Sequence, residues 1–102
     1  MVVDYLHQGD IVKIEKIKHP VLVVSKDFFN KSQSIIACPV IKNSIPGPLH
    51  IWIETDETEG YVQCEKLALL DLMVRGYKKI DRLPMEQLMN VADAVQGIFE
   101  YI

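Results

Sequence analysis

The sequence predicts a mainly β, α+β fold: a small antiparallel barrel with short helical turns and a C-terminal helix. Short apolar runs with strand texture recur between turn signals, and the long helical repeat comes only at the end of the chain. A length of 102 residues makes this one domain, residues 1–102. A domain of this size buries about 65% of the surface its unfolded chain exposes, enough for a real core.

The first strand is expected from about Asp10 to Lys16, where Ile11, Val12, Ile14 and Ile17 interleave with Lys13, Glu15 and Lys16. Near-alternation of this kind gives a strand with one wet face. Pro20 has no backbone donor and marks a strand entrance or edge. Val21 to Ser25 is a continuous β-branched run and Ser34 to Ile41 repeats its texture, so these are the two central strands. Between them, Asp27-Phe28-Phe29-Asn30-Lys31-Ser32 reads as one helical turn whose phenylalanines fold back on the core. Asn43-Ser44-Ile45-Pro46-Gly47-Pro48 is a loop. Leu49 to Glu54 resumes alternation, with Leu49, Ile51 and Ile53 on one face and His50 and Trp52 on the other. The polar run Thr55 to Gly60 then turns the chain into Tyr61 to Leu70. Met85, Leu88, Met89, Ala92, Val95, Phe99 and Ile102 recur at helical spacing. They read as the core-facing stripe of a helix of about five turns, methionines included, with Pro84 suited to its first turn.

The formal net charge is −3, from 14 acidic and 11 basic residues, so bulk electrostatics does not draw the chain to a polyanion. Basic residues gather at Lys13, Lys16 and Lys18, with Lys26, Lys31 and Lys42 following, and acids at Glu54, Asp56, Glu57 and Glu59. Cys38 and Cys64 lie inside apolar strand patterns without metal-ligand spacing and read as buried free thiols. No run reaches the ~18 apolar residues of a membrane span. The Met1-Val2-Val3 start lacks the pattern of a signal peptide, so the cytoplasm is the expected address. The absence of a phosphate-cradling glycine loop, a dinucleotide fingerprint, HExxH and GxSxG argues against nucleotide- and zinc-dependent chemistry. Function is expected on the surface, because a barrel this small has little interior room.

The stretch Gly9 to Ile41, GDIVKIEKIKHPVLVVSKDFFNKSQSIIACPVI, resembles the PemK/MazF toxin family. The likeness lies in the Gly9-Asp10 strand entry, a basic residue before Pro20-Val21-Leu22-Val23-Val24-Ser25, the Phe29-Asn30 turn and a strand ending in Pro39-Val40. It continues through Gly60-Tyr61-Val62-Gln63-Cys64-Glu65, Asp71, Arg75-Gly76 and a helix behind Leu83-Pro84, nearly the whole chain. The resemblance implies an SH3-like barrel that cuts single-stranded RNA, a homodimer, and a small antitoxin protein whose disordered segment covers the groove. No cofactor and no metal are expected. The ribose 2′-hydroxyl supplies the nucleophile, so the protein has only to move protons and stabilise phosphate charge.

His19, directly after Lys18, falls where the resemblance implies a basic residue in the active groove, and it is the expected catalytic histidine. Glu65 takes the place of a catalytic aspartate, with Gln63-Cys64-Glu65 standing where relatives carry Arg-Cys-Asp. Lys42, beside Ile41, falls where a threonine is common and is expected to complete the catalytic set by meeting phosphate. Lys16, Lys18, Gln63 and Lys66 complete the expected RNA contacts. His7 is assigned to a mobile start, and His50 to a solvent-facing position beside Trp52. The lid between the first two strands is nearly absent, since Glu15-Lys16-Ile17-Lys18 is all there is. Two other classes stay open: a catalytically inactive SH3-like module that binds protein or single-stranded nucleic acid, and a purely structural subunit.

Overall fold

The structure, a computed structural model, describes residues 4–99. Its elements in chain order are β1 (Asp10–Ile14), β2 (Val21–Val23), α1 (Asp27–Asn30), β3 (Ser34–Ile41), β4 (His50–Glu54), β5 (Glu59–Gln63), β6 (Ala68–Asp71), β7 (Tyr77–Arg82) and α2 (Met85–Phe99). All pairings are antiparallel, in the order β4-β5-β3-β2-β1-β7, with β6 also on β3. The expected α+β, sheet-dominated class is therefore the observed one. The sheet does not close into a barrel by strand pairing. Instead, side chains span the gap between its end strands: Thr55, just past β4, hydrogen bonds Asp81 of β7.

β2 and β3 are central, as their β-branched texture predicts, and apolar layers cover both faces. On one face Ile11, Leu22, Cys38, Val40, Ile53 and Val62 pack beneath Leu88 and Val91 of α2. On the other Val12, Ile14, Val21, Val23, Ile35 and Ala37 pack with Leu70 and Leu72. Both cysteines are free and buried. Burial pushes their thiols up to about 12 for Cys38 and about 11 for Cys64, which leaves them unreactive.

Several expectations change. Phe28 is 76% exposed, and the residue that α1 buries is Asn30, at 1%. The asparagine amide donates to the carbonyls of Leu6 (2.9 Å) and Ser25 (3.0 Å), and its oxygen accepts from the Ser25 hydroxyl. That hydroxyl in turn accepts from the Ile36 amide at 2.9 Å. Asn30 goes inside because every polar atom it carries is matched there. Along α2 the buried stripe is narrower than its spacing suggests. Leu88 and Val91 are buried while Met85, Met89 and Phe99 are exposed, and Ile102 lies outside the described residues. The helix is tied to the open edge of β4 by Gln87, whose side chain pairs with both the N–H (2.7 Å) and the carbonyl (2.8 Å) of Glu54. The first strand stops at Ile14, and Lys16 turns the chain at φ 67°. Tyr61 to Leu70 is two strands, β5 and β6, which follow one another along the same side of β3.

Candidate functional site

β4 and β5 extend the sheet beyond β3, and their registers put side chains into rows. Trp52 faces Tyr61 and Tyr61 faces Ile41, while His50 faces Gln63. Directly opposed residues share a face, so one surface carries Trp52, Tyr61, Gln63 and His50 together. The Trp52 and Tyr61 rings meet edge-on at 5.1 Å, and Trp52 is 42% exposed. The loop at 43–48 folds back onto this surface. Ser44 Oγ accepts from Gln63 Nε2 at 2.9 Å and lies 3.3 Å from His50 Nδ1. Gln63 is 8% exposed, and its Oε1 has no hydrogen-bond partner.

His50 is the centre of this cluster. Its Nδ1 bonds the Ile45 carbonyl and its Nε2 bonds Glu65 Oε2 at 2.7 Å. A carbonyl and a carboxylate only accept, so the doubly protonated ring is the form that answers both at once. The bond to the Ile45 carbonyl and then that to Glu65 accordingly raise the His50 pKa above its ordinary value. Burial works against the charge on Glu65. The hydrogen bonds from His50 and from its own N–H, with the charges of His50 and Lys66, outweigh it and hold the carboxyl below its usual range. A depression of about 210 Å³ opens beside the pair, lined by Pro46, Gly47, Pro48, Leu49, His50 and Glu65.

The residues singled out from sequence fall into two groups. Gln63 ends β5 and Glu65 and Lys66 follow it, where Glu65 meets His50, the histidine assigned to solvent. His19 lies in the β1–β2 turn, half-buried. The Pro20 carbonyl accepts from the Val40 N–H at 2.9 Å, so His19 stands next in register to Ile41. β2 and β5 flank β3 on opposite sides, and the described ion pair of Glu65 is with His50, not His19. Lys16 and Lys18 are exposed in the same turn as His19. Lys42 turns to Glu59 at 3.0 Å and lines a groove of about 460 Å³ with Pro20, Ile80 and the acidic run Glu54 to Glu59. His7 is not loose: its Nδ1 lies 2.8 Å from Asp27 Oδ2, latching the start of the chain to α1. Among the described residues no group of three or more His, Cys, Asp or Glu side chains has the arrangement to hold a metal ion. Nor is any described helix long and apolar enough to cross a membrane.

Fold and surface together define a small antiparallel β-sheet protein with a histidine–carboxylate pair set among aromatic rings on an open face. Residues 6–99 match the family model described as "PemK-like, MazF-like toxin of type II toxin-antitoxin system". The chain belongs to this PemK-like, MazF-like toxin family, as the resemblance implied. Its fold is similar to that of a chain in the MazE–MazF crystal structure (Form-I) from Deinococcus radiodurans, with 20% identity, a TM-score of 0.85, and coverage of 95% of this chain and 98% of that one. An endoribonuclease from a mycobacterial species is similar at 15% identity and TM-score 0.84, over 97% of this chain and 95% of its own. An endoribonuclease in complex with its cognate antitoxin, also mycobacterial, is similar at 14% identity and TM-score 0.79, over 92% and 94%. No curated protein matches the chain.

Proposed function

We propose that this toxin is a metal-independent endoribonuclease acting on single-stranded RNA in the cytoplasm, working as a homodimer and neutralised by a small antitoxin protein. The observation that carries this reading is the 2.7 Å His50–Glu65 pair on a face that also presents Trp52 and Tyr61. Bases of single-stranded RNA stack on aromatic rings without regard to sequence. With a phosphodiester seated between the paired groups, Glu65 takes the 2′-hydroxyl proton while that oxygen bonds phosphorus. The His50 imidazolium gives its proton to the departing 5′-oxygen as the P–O5′ bond breaks. Gln63 positions the strand through its unpartnered Oε1. His19, Lys16, Lys18, Lys42 and Lys66 contact the RNA backbone, His19 and Lys42 outside the proton-transfer step. The exposed Leu69, Met73 and Val74 on and after β6 supply the apolar surface for a second copy.

One observation favours the inactive-module reading. Both ring nitrogens of His50 are already engaged, so catalysis requires the Glu65 contact to open. A cleavage assay on long single-stranded RNA in chelator separates the two. The enzyme reading predicts cleavage by the wild type and its loss in His50→Gln and Glu65→Gln, together with growth arrest on induction that His50→Gln relieves. Intact RNA and unaffected growth select the module.

A further inference from the structure

β1 and β7 carry a feature that the site on β4 and β5 does not use. Lys13 and Lys78 are direct cross-strand partners, next to the Ile14 and Tyr77 pair. Both lysines are exposed, and neither forms an ion pair among the described residues. With Glu15, Gly76 and the 40%-exposed Tyr77 they line a shallow depression of about 420 Å³. Lys13 Nζ also donates to the Lys18 carbonyl at 3.2 Å, so Lys18 and the turn that holds Lys16 and His19 adjoin the same strip. Like charges directly opposed on a sheet destabilise it. The arrangement is explained if an anion sits between them. In a chain of net charge −3 such a concentration of unpaired cations is local and directional.

We propose that Lys13 and Lys78 form a second subsite that holds the RNA backbone flanking the cleaved bond. The proposal rests on the ribonuclease reading for its ligand, a single-stranded polyanion. β1 and β7 carry none of the residues grouped around His50, so this subsite takes nucleotides other than those at His50.

The test reads binding without cleavage, using a single-stranded oligonucleotide with 2′-deoxyribose throughout, which lacks the nucleophile. Each phosphate neutralised on a single strand contributes about 0.7 to the slope of log affinity against log salt. The Lys13→Gln/Lys78→Gln double variant is expected to lower that slope by about 1.4. Each single variant should melt at or above the wild-type temperature, since it removes a like-charge pair. An unchanged slope overturns the subsite even if the protein cleaves RNA well. A lowered slope supports it even in a protein that cleaves nothing. Melting below wild type in both single variants overturns the like-charge argument.

Discussion

Polar side chains fasten loops to the sheet at the Asn30 cluster and at the His50 cluster, and the two are built differently. Asn30 and Ser25 lock α1 to β3 with every bond answered inside the protein. His50, Ser44 and Gln63 hold the 43–48 loop in a looser way: Glu65 stands in solvent, and Gln63 Oε1 is left without a partner. A saturated buried network specifies the fold, whereas an open one keeps capacity for something outside the chain. That difference favours the His50 cluster as the one proposed to act on a ligand.

The strongest way to break that contrast is substitution at the open cluster. His50→Gln should reduce RNA cleavage by roughly 10²–10⁴-fold, the span of a lost acid–base group, while chemical denaturation stays within about 0.5 kcal/mol of wild type. Wild-type cleavage with large destabilisation would reverse the assignment of the two clusters. Asn30→Ala should do the opposite. It leaves the Leu6 and Ser25 carbonyls unanswered and costs about 3 kcal/mol in a urea titration.

Gly60 tests the join between core and site. Its φ is +155°, and an added Cβ meets Val40 Cγ1 at 3.0 Å and the backbone of Ile41 and Lys42 at 3.2 Å. Gly60→Ala should cost about 2 kcal/mol, measured by thermal melting, and should also disturb the Tyr61–Trp52 platform next to it. An alanine variant as stable as wild type would mean that the β3–β5 contact is looser than described.

The smallest expected effect is the pH dependence of the pair. The folded pKa of His50 lies above its ordinary 6.5 and that of Glu65 below its ordinary 4.5. The stabilising contribution of the contact is therefore fully present between those two ordinary values. It fades as pH rises through the folded pKa of His50, and again as pH falls through that of Glu65. Glu65 is exposed and His50 partly so, so the change in stability is slight and the ring titration by NMR is the better readout. Glu65→Gln should lower the His50 pKa; an unchanged value would show that the Glu65 bond is not formed in solution.

Much of the fold was legible in the sequence. β1, β2 and β3 are marked by β-branched runs and α2 by helical spacing, because burial dictates both patterns. β7 was not legible: Tyr77-Lys78-Lys79-Ile80-Asp81-Arg82 is almost wholly polar and is a strand only because β1 offers it an edge. Phe28 misled for the converse reason, since hydrophobicity alone does not show that the buried place is taken by an asparagine with all its bonds met. At the site, alternation placed His50 and Trp52 on one face correctly. The partnership of His50 with Glu65, fifteen residues on, depends on the His50–Gln63 register and the fold of the 43–48 loop. Neither can be read from a chain whose strand pairing is unknown. His19 was favoured by its place in the family-like motif, and the structure gives it lysine neighbours and no carboxylate partner among its described hydrogen bonds.

The account's central claim is that the His50–Glu65 pair moves the protons of RNA cleavage. Its most direct test is the single-turnover cleavage rate of single-stranded RNA in chelator, followed across pH for wild type and His50→Gln. The wild type should cleave and lose rate as pH rises through a His50 pKa above 6.5, and the variant should lack that limb along with most of the rate. A wild type that leaves RNA intact, or a His50→Gln variant with the same rate and the same profile, would contradict it.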